Sequence, residues 1–478
     1  MLAIPRYIRS VVVLLCVGCK SISAVAISDS LIAISPSAAK KYIVNNITVS
    51  GNNRTKDKII LRELTIKPGD TIDQSNLDAE VLRSKNNVLN TSLFNFVRID
   101  TIPFFENHID IHIDVKERWY IFPVPIFEIS ERNFNTWLLN PNLARSNYGF
   151  YLIDENFRGL KENLSLKMRF GYAEQYELAY SIPFIDKKQT TGLGIGFSYN
   201  RNHEIAYSTL NDQLLYYKNP GIYVRDEWVG RLSYSRRSGL YRTQTADLRF
   251  IKSSVTDSVV SLTKDYFGGA EKIFQLVVAS YGFRFDYRDS RVYPLKGYYF
   301  GVDLVKQGVG LKAETVNLLY AVASYRKYFQ IYNRLYLGVM AKGKLSTYEK
   351  QPYYVQRALG YGDYVRGYEL YVIDGQSYAL FKANLRYQII KPGVLRIKAI
   401  PTEKFNTIPY AFYFSVFSDA AYVGDNFYSK GNPLTNEWML GSGLGIDFVT
   451  YYDNVVRVEY AWNRMSESGF YLHLIAPF

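Results

Sequence analysis

The residues that could do chemistry are few and scattered. Histidines stand at only four positions, 108, 112, 203 and 473, and cysteines at two, 16 and 19. His108 and His112 have the i,i+4 spacing that lets two imidazoles share a metal ion on a helix, but they fall in an alternating, strand-like stretch where that spacing does not converge. Asp286 and Asp289 are close enough in sequence to suggest a carboxylate pair. Gly192, Gly194 and Gly196 alternate as small residues packed in a strand do, rather than forming a phosphate-cradling loop. No nucleophile elbow or P-loop occurs. The chain is therefore expected to have no catalytic set, no metal site and no cofactor, and not to be an enzyme.

Both cysteines lie in what reads as an export signal. Arg6 and Arg9 precede a short apolar run, Val11 to Gly18, and Ala24-Val25-Ala26 supplies small residues for cleavage. Residues 1–26 are thus expected to be a signal peptide, and a chain cleaved after Ala26 has no cysteine left for disulfide or thiol chemistry. Val17-Gly18-Cys19 weakly resembles a lipoprotein cleavage box, with Cys16 where an aliphatic residue is usual. The apolar run is too short for a membrane helix, and no later segment offers the roughly 18 uninterrupted apolar residues one needs.

The elements that remain must be mainly β. Aromatic residues make up 16% of the 478 positions, with 43 Tyr against 5 Met, a bias toward side chains that favour strands and sit at polar–apolar boundaries. The formal net charge of +13 fits contact with anionic lipid headgroups or lipopolysaccharide phosphates. Nucleic acid is not an expected partner of an exported chain without a nucleic-acid-binding motif.

Residues 42–117 read as a small separate domain. Tyr42 to Val49 is a strand closed by Gly51-Asn52, and a helix follows with Thr55 able to cap it. Lys67-Pro68-Gly69-Asp70 breaks the chain before a second helix over 76–89, with Leu77, Val81, Leu82 and Val88 near one face. Two strands end the unit; in the second, Ile109, Ile111, Ile113 and Val115 alternate with Asp110, His112 and Asp114. This β-α-α-β-β order resembles a POTRA domain, through Ile47-Thr48-Val49-Ser50-Gly51-Asn52, Ile60-Leu61-Arg62-Glu63-Leu64, Lys67-Pro68-Gly69-Asp70 and Ser92-Leu93-Phe94-Asn95-Phe96-Val97. The resemblance implies a module whose unpaired sheet edge accepts extended polypeptide.

After a linker over 118–145 the period is two. Leu164, Leu166, Met168 and Phe170 alternate with polar residues, as do Tyr281, Phe283, Phe285 and Tyr287, and Val456, Val458, Tyr460 and Trp462. Each stretch is long enough to cross a tilted barrel wall, about 9–11 residues. With the export signal and aromatic strand ends, the pattern predicts a transmembrane antiparallel β-barrel over 146–478 with roughly sixteen strands, the first near Tyr148 to Phe157. Residues 346–376 read as one large loop.

That loop contains Val365-Arg366-Gly367-Tyr368, which resembles the signature of the BamA/TamA-like superfamily, also called the bacterial surface antigen family. It falls between the eleventh and twelfth predicted strands. Asp286-Tyr287-Arg288-Asp289 with Tyr293-Pro294-Leu295-Lys296-Gly297, Asn156-Phe157-Arg158-Gly159 and Phe417-Ser418-Asp419-Ala420-Ala421 resemble other motifs of the family. The resemblance covers residues 42 to 478, with Ala421 where glycine is usual and Asn384 where glutamate is common. It implies that the loop folds back into the barrel and that Arg366 pairs with Asp419, beside Phe417. It also implies that the final strand, with Phe470, Leu472, Leu474 and terminal Phe478, is a signal read by the outer-membrane assembly machinery.

The functional expectation follows from the resemblance: an assembly, insertion or translocation factor in the bacterial outer membrane, its POTRA domain in the periplasm. It would handle unfolded client polypeptides through a seam between first and last strands, with periplasmic or lipoprotein partners at the POTRA domain. The alternative is a passive channel or receptor, or a lipid-organising structural barrel.

Overall fold

The computed structural model describes residues 40–129, 143–310, 316–347, 349–450 and 454–474. The expected signal peptide and Phe478 lie outside them.

The first unit runs β1 (Lys41–Ser50), α1 (Asp57–Leu61), β2 (Thr71–Asp73), α2 (Gln74–Leu89), β3 (Phe94–Phe105) and β4 (His108–Glu117). Its sheet has the order β2-β1-β4-β3, with β1 and β4 parallel. Period-two alternation puts Ile109, Ile111, Ile113 and Val115 of β4 on one face, and the helices cover it with Ile59, Ile60, Leu77 and Val88. Three details differ from the sequence reading. Strand β2 is additional; at three residues it is too short to show a period. Leu82 is exposed, because five positions after Leu77 is about 140° round a helix of 3.6 residues per turn. Thr55 caps nothing: the cap position is Lys56, and the Thr55 hydroxyl instead meets the hydroxyl of Tyr120 at 3.0 Å and accepts from Asn156 Nδ2 at 2.9 Å.

The remaining strands are β5 (Ile121–Ile129), β6 (Ser146–Phe157), β7 (Glu162–Gly171), β8 (Ala173–Ile182), β9 (Thr191–Asn202), β10 (Glu204–Leu210), β11 (Gln213–Lys218), β12 (Arg225–Ser238) and β13 (Arg242–Val255). They continue as β14 (Ile273–Asp286), β15 (Gly297–Gln307), β16 (Leu318–Tyr332), β17 (Leu335–Ser346), β18 (Ser377–Arg396), β19 (Thr407–Gly424), β20 (Trp438–Val449), β21 (Val455–Asn463) and β22 (Ser468–Leu474). Sixteen of them form one antiparallel sheet in sequential order from β5 to β22, while β10 and β11 stand apart as a hairpin. This is the expected fold class, a sixteen-stranded barrel-type sheet behind a small α+β domain.

The boundary between the two domains is a correction. The expected linker over 118–145 contains the first strand of the sheet, β5, so Ser146–Phe157 is the second. Pro123 and Pro125 hid it: proline donates no ladder hydrogen bond and argues against an interior strand, but an edge strand tolerates it.

One face of the sheet is an apolar belt. Leu193, Ile195 and Phe197 of β9, Leu232 of β12, Leu248 and Phe250 of β13, Leu444 and Ile446 of β20 and Val458 of β21 are all exposed on it. Tyr199 and Trp228 stack there, 3.9 Å between ring centroids. Such a belt matches a bilayer as solvent. No helix among the described residues is long and apolar enough to cross a membrane.

The opposite, polar face is enclosed. Tyr293, in the turn between β14 and β15, packs on Tyr413 of β19 and donates to Asp447 of β20 at 2.6 Å. At the other end of the strands the β10–β11 hairpin, the loop over 347–376 and the loop over 425–437 are laced together. Thr209 donates to Asp374 at 2.5 Å, Asp212 accepts from Leu434 N at 2.8 Å, and Gln376 donates to Asp425 at 2.5 Å.

The small domain docks on the short turns. Arg237, at the end of β12, makes two 2.6 Å hydrogen bonds to the Glu63 carboxylate. Arg54 reaches Asp154 at 2.6 Å, Arg62 lies 3.8 Å over the Phe184 ring, and Asn90 donates to the Asp289 carbonyl at 3.2 Å. Burial alone would raise the Glu63 pKa, but the bonds and charge of Arg237 outweigh it and hold it below the usual carboxylate range. Burial lowers Lys161, in the turn between β6 and β7, to about 8.

Candidate functional site

The loop after β17 carries its signature residues into the enclosed face. Val365 and Tyr368 are buried in one apolar cluster with Leu359, Ile373, Leu380 and Met439. The Tyr368 hydroxyl accepts from Arg464 N at 3.2 Å. Gly367 has φ +90°, and a side chain there would sit 3.1 Å from the Trp462 carbonyl oxygen, so the turn needs glycine.

Arg366 stands in this turn just before Gly367 and is buried. Its Nε donates to Asp419 Oδ2 at 2.9 Å and its Nη2 to Oδ1 at 2.6 Å, a bidentate fork; its own backbone N–H adds a third bond at 3.1 Å. The guanidinium also stands 3.8 Å over the Phe417 ring. The structure thus brings together Arg366, Asp419 and Phe417, the residues that the family resemblance joined.

Several partners were not legible in the sequence. Arg366 Nη1 donates to Glu459 of β21 at 3.1 Å, and Lys382 of β18 lies 3.5 Å from Asp419. Arg457 pairs with Asp447 through bonds of 2.6 and 3.1 Å. Gly441 of β20 leaves room for the loop: a Cβ there would fall 1.8 Å from the Arg366 carbonyl oxygen. Period-two alternation does place these residues on the inner face, but charges in a barrel interior are expected anyway, so alternation could not single them out.

The last strand divides its residues between faces. Phe470, Leu472 and Leu474 are exposed on the apolar belt, whereas His473 points inward. There it meets Glu369 of the loop and Glu459 of β21, the donor atoms of all three lying within 4.8 Å of one another. Among the described residues the other histidines join no such group. His112 is satisfied by Thr48 and Ser50 at 2.9 and 3.0 Å, and His203 by carbonyls of Asn219 and Ile222. Asp286 is held by Arg288 at 2.7 and 2.8 Å and Asp289 organises a turn, so they are no paired acid and base.

The edge of the sheet is the second candidate feature. Glu155 N donates to the Tyr120 carbonyl. By alternation, the even-numbered residues from 120 onward turn their peptide groups toward β6, and the odd-numbered ones turn theirs to the free edge. Pro123 and Pro125 therefore remove two N–H donors from that edge. The Ile121 carbonyl is taken by the Trp119 indole N–H. Among the described residues no ladder joins β5 to β22.

Comparison with known proteins adds the following. Residues 42–118 match the POTRA family, described as surface antigen variable number repeat. The chain is 33% identical over 81 residues to the outer membrane protein assembly factor BamA of Neorickettsia risticii and 31% identical over 80 residues to that of Nitratidesulfovibrio vulgaris. These alignments take in 17% and 16% of this chain and a tenth, 10%, of each relative's length. Among solved structures, CdiB from Escherichia coli aligns over 91% of this chain and 76% of its own, with a TM-score of 0.54 and 11% identity, a likeness of fold.

Proposed function

We propose, from the premise that this chain is a BamA/TamA-like POTRA-plus-barrel protein, that it inserts or translocates client polypeptides at the bacterial outer membrane, with its POTRA domain in the periplasm. The observation that carries this reading is the defective edge of β5. Unsatisfied backbone groups are costly in lipid, so a stable barrel keeps its strand pairing complete. Here the strand that must meet β22 lacks N–H groups at 123 and 125. A seam closed by fewer bonds is the cheapest place to open, and an incoming client strand can pair with the exposed edge.

The POTRA domain supports the same reading. Among the described residues its outer strand β3 pairs with β4 alone, and Ile102, Phe104 and Phe105 on its second half are exposed. An open strand edge with apolar side chains suits a client held in extended form. The channel alternative has less support, because loop residues 365–369 and 372–376 are buried and the loop is tied to its neighbours.

Depletion followed by quantitative outer-membrane proteomics tests the proposal. It predicts loss of a defined set of clients, restored by the native chain but not by one with a disulfide engineered between β5 and β22. Unchanged outer-membrane composition, or full rescue by the cross-linked form, would contradict it.

A further inference from the structure

We propose that Glu369, Glu459 and His473 form a binding site for one divalent transition-metal cation of the zinc class, clipping the lumen loop to the last described strand. The inference stands independently of the client-handling role. The three residues come from the loop, β21 and β22, up to about a hundred positions apart, so no sequence spacing announces them.

The distances fit a shared ion. His473 Nε2 lies 3.3 Å from Glu459 Oε2 and 3.7 Å from Glu369 Oε1. Zinc bonds of about 2.0–2.2 Å in tetrahedral arrangement set neighbouring ligand atoms roughly 3.3–3.6 Å apart. His473 Nε2 and Glu459 Oε2 are buried and lie at ion-pair distance, with no well-aligned hydrogen bond between them. The Glu459 side chain is fully buried, with its Oε2 facing the His473 ring, where a cation would stabilise it.

Each ligand is also fixed from behind, as metal ligands are. His473 Nδ1 is 3.2 Å from the Tyr364 hydroxyl, on which the imidazole stacks, and in the tautomer that donates from Nδ1 the lone pair is on Nε2. Glu459 Oε1 accepts from Arg366. Glu369 Oε2 accepts from Gly367 N at 2.8 Å.

Buried cations nearby, Arg366, Arg457, Lys382 and Arg386, face the buried carboxylates of Asp419, Asp447, Glu369 and Glu459. A proton on His473 would be shared with Glu459 and Glu369 as an ion pair. A metal ion needs only converging lone pairs, and imidazole with two carboxylates is a donor set that zinc accepts. Water would take the open fourth position.

The test uses the full-length chain, purified in detergent without a histidine tag, stripped with chelator and titrated with zinc chloride by calorimetry, with bound metal counted by mass spectrometry. The proposal expects one zinc per chain and an upward shift in the temperature at which the folded, fast-migrating form is lost. His473→Ala and Glu369→Gln should each weaken binding by about tenfold or more. A variant lacking His108, His112 and His203 should bind as the native chain does. Folding of each variant is read from its heat-modifiable mobility, and Glu369→Gln, on a loop, serves if His473→Ala does not fold. Absence of stoichiometric zinc, binding unchanged in Glu369→Gln, or binding lost with the other three histidines would overturn the site. So would a folded form stabilised by acid through His473 but indifferent to zinc, which would identify a proton in the ion's place.

Discussion

The two walls of the lumen use the same chemistry at opposite extremes of burial. On the wall made by β18 to β22, the side chains of the pairs Arg366–Asp419 and Arg457–Asp447 are 1% and 0% exposed. On the wall made by β12 to β15, Arg231–Asp247 is 52% and 17% exposed and Arg284–Asp303 is 34% and 38% exposed. A solvent-exposed pair contributes about 0–1 kcal/mol, whereas removing one partner of a buried pair costs about 3–5 kcal/mol because the other charge is left stranded. Two coverings make the difference: the loop carries Arg366 onto Asp419 and Glu459, and Tyr293 of the β14–β15 turn covers Asp447. One wall is therefore shielded from solvent, and the other is a solvated surface.

Mutations can break or sharpen this contrast. The largest effect is expected for Arg366→Ala, which leaves buried Asp419 with Lys382 at 3.5 Å as its remaining cation and should lower unfolding stability in detergent by about 3–5 kcal/mol, read from urea titration of the folded form. Arg237→Ala comes next. It removes both hydrogen bonds to Glu63, each charge-assisted, and should loosen the POTRA domain by about 1.5–3 kcal/mol, seen as faster proteolysis between POTRA domain and barrel. That joint should also weaken in acid. Glu63 is held below its ordinary range when docked, so its stabilisation is complete above that range and is lost as pH falls through the depressed value. Gly441→Ala forces a methyl group against the Arg366 carbonyl and should cost about 1–3 kcal/mol in the same urea assay. Arg231→Ala on the open wall should change stability by less than about 1 kcal/mol. An equal loss for Arg231→Ala and Arg366→Ala would erase the distinction between the walls.

Much of this architecture is written in the sequence as periodicity. The alternation of Ile109 to Val115 and of Val456 to Trp462 reports which face is apolar, and the structure keeps those faces. Arg366 and Asp419 were joined through motif resemblance, not through spacing, since 53 positions separate them. What stayed hidden has physical causes. Strand β5 is masked by its prolines, which mark an edge rather than exclude a strand. Strand β2 is too short to have a period. Glu369, Glu459 and His473 meet only because a loop folds back across strands fifteen and sixteen of the sheet, and Gly441 matters only because a carbonyl arrives above it.

The central claim is that the barrel is held along its buried wall and yields at the β5 edge. Hydrogen–deuterium exchange on the full-length protein in lipid nanodiscs tests it directly. Amides of β18 to β21 should be protected for hours, while those of β22 and the edge-facing residues of β5, such as Phe127, exchange within minutes. Uniform protection through β5 and β22, at the level of β19 and β20, would contradict the account.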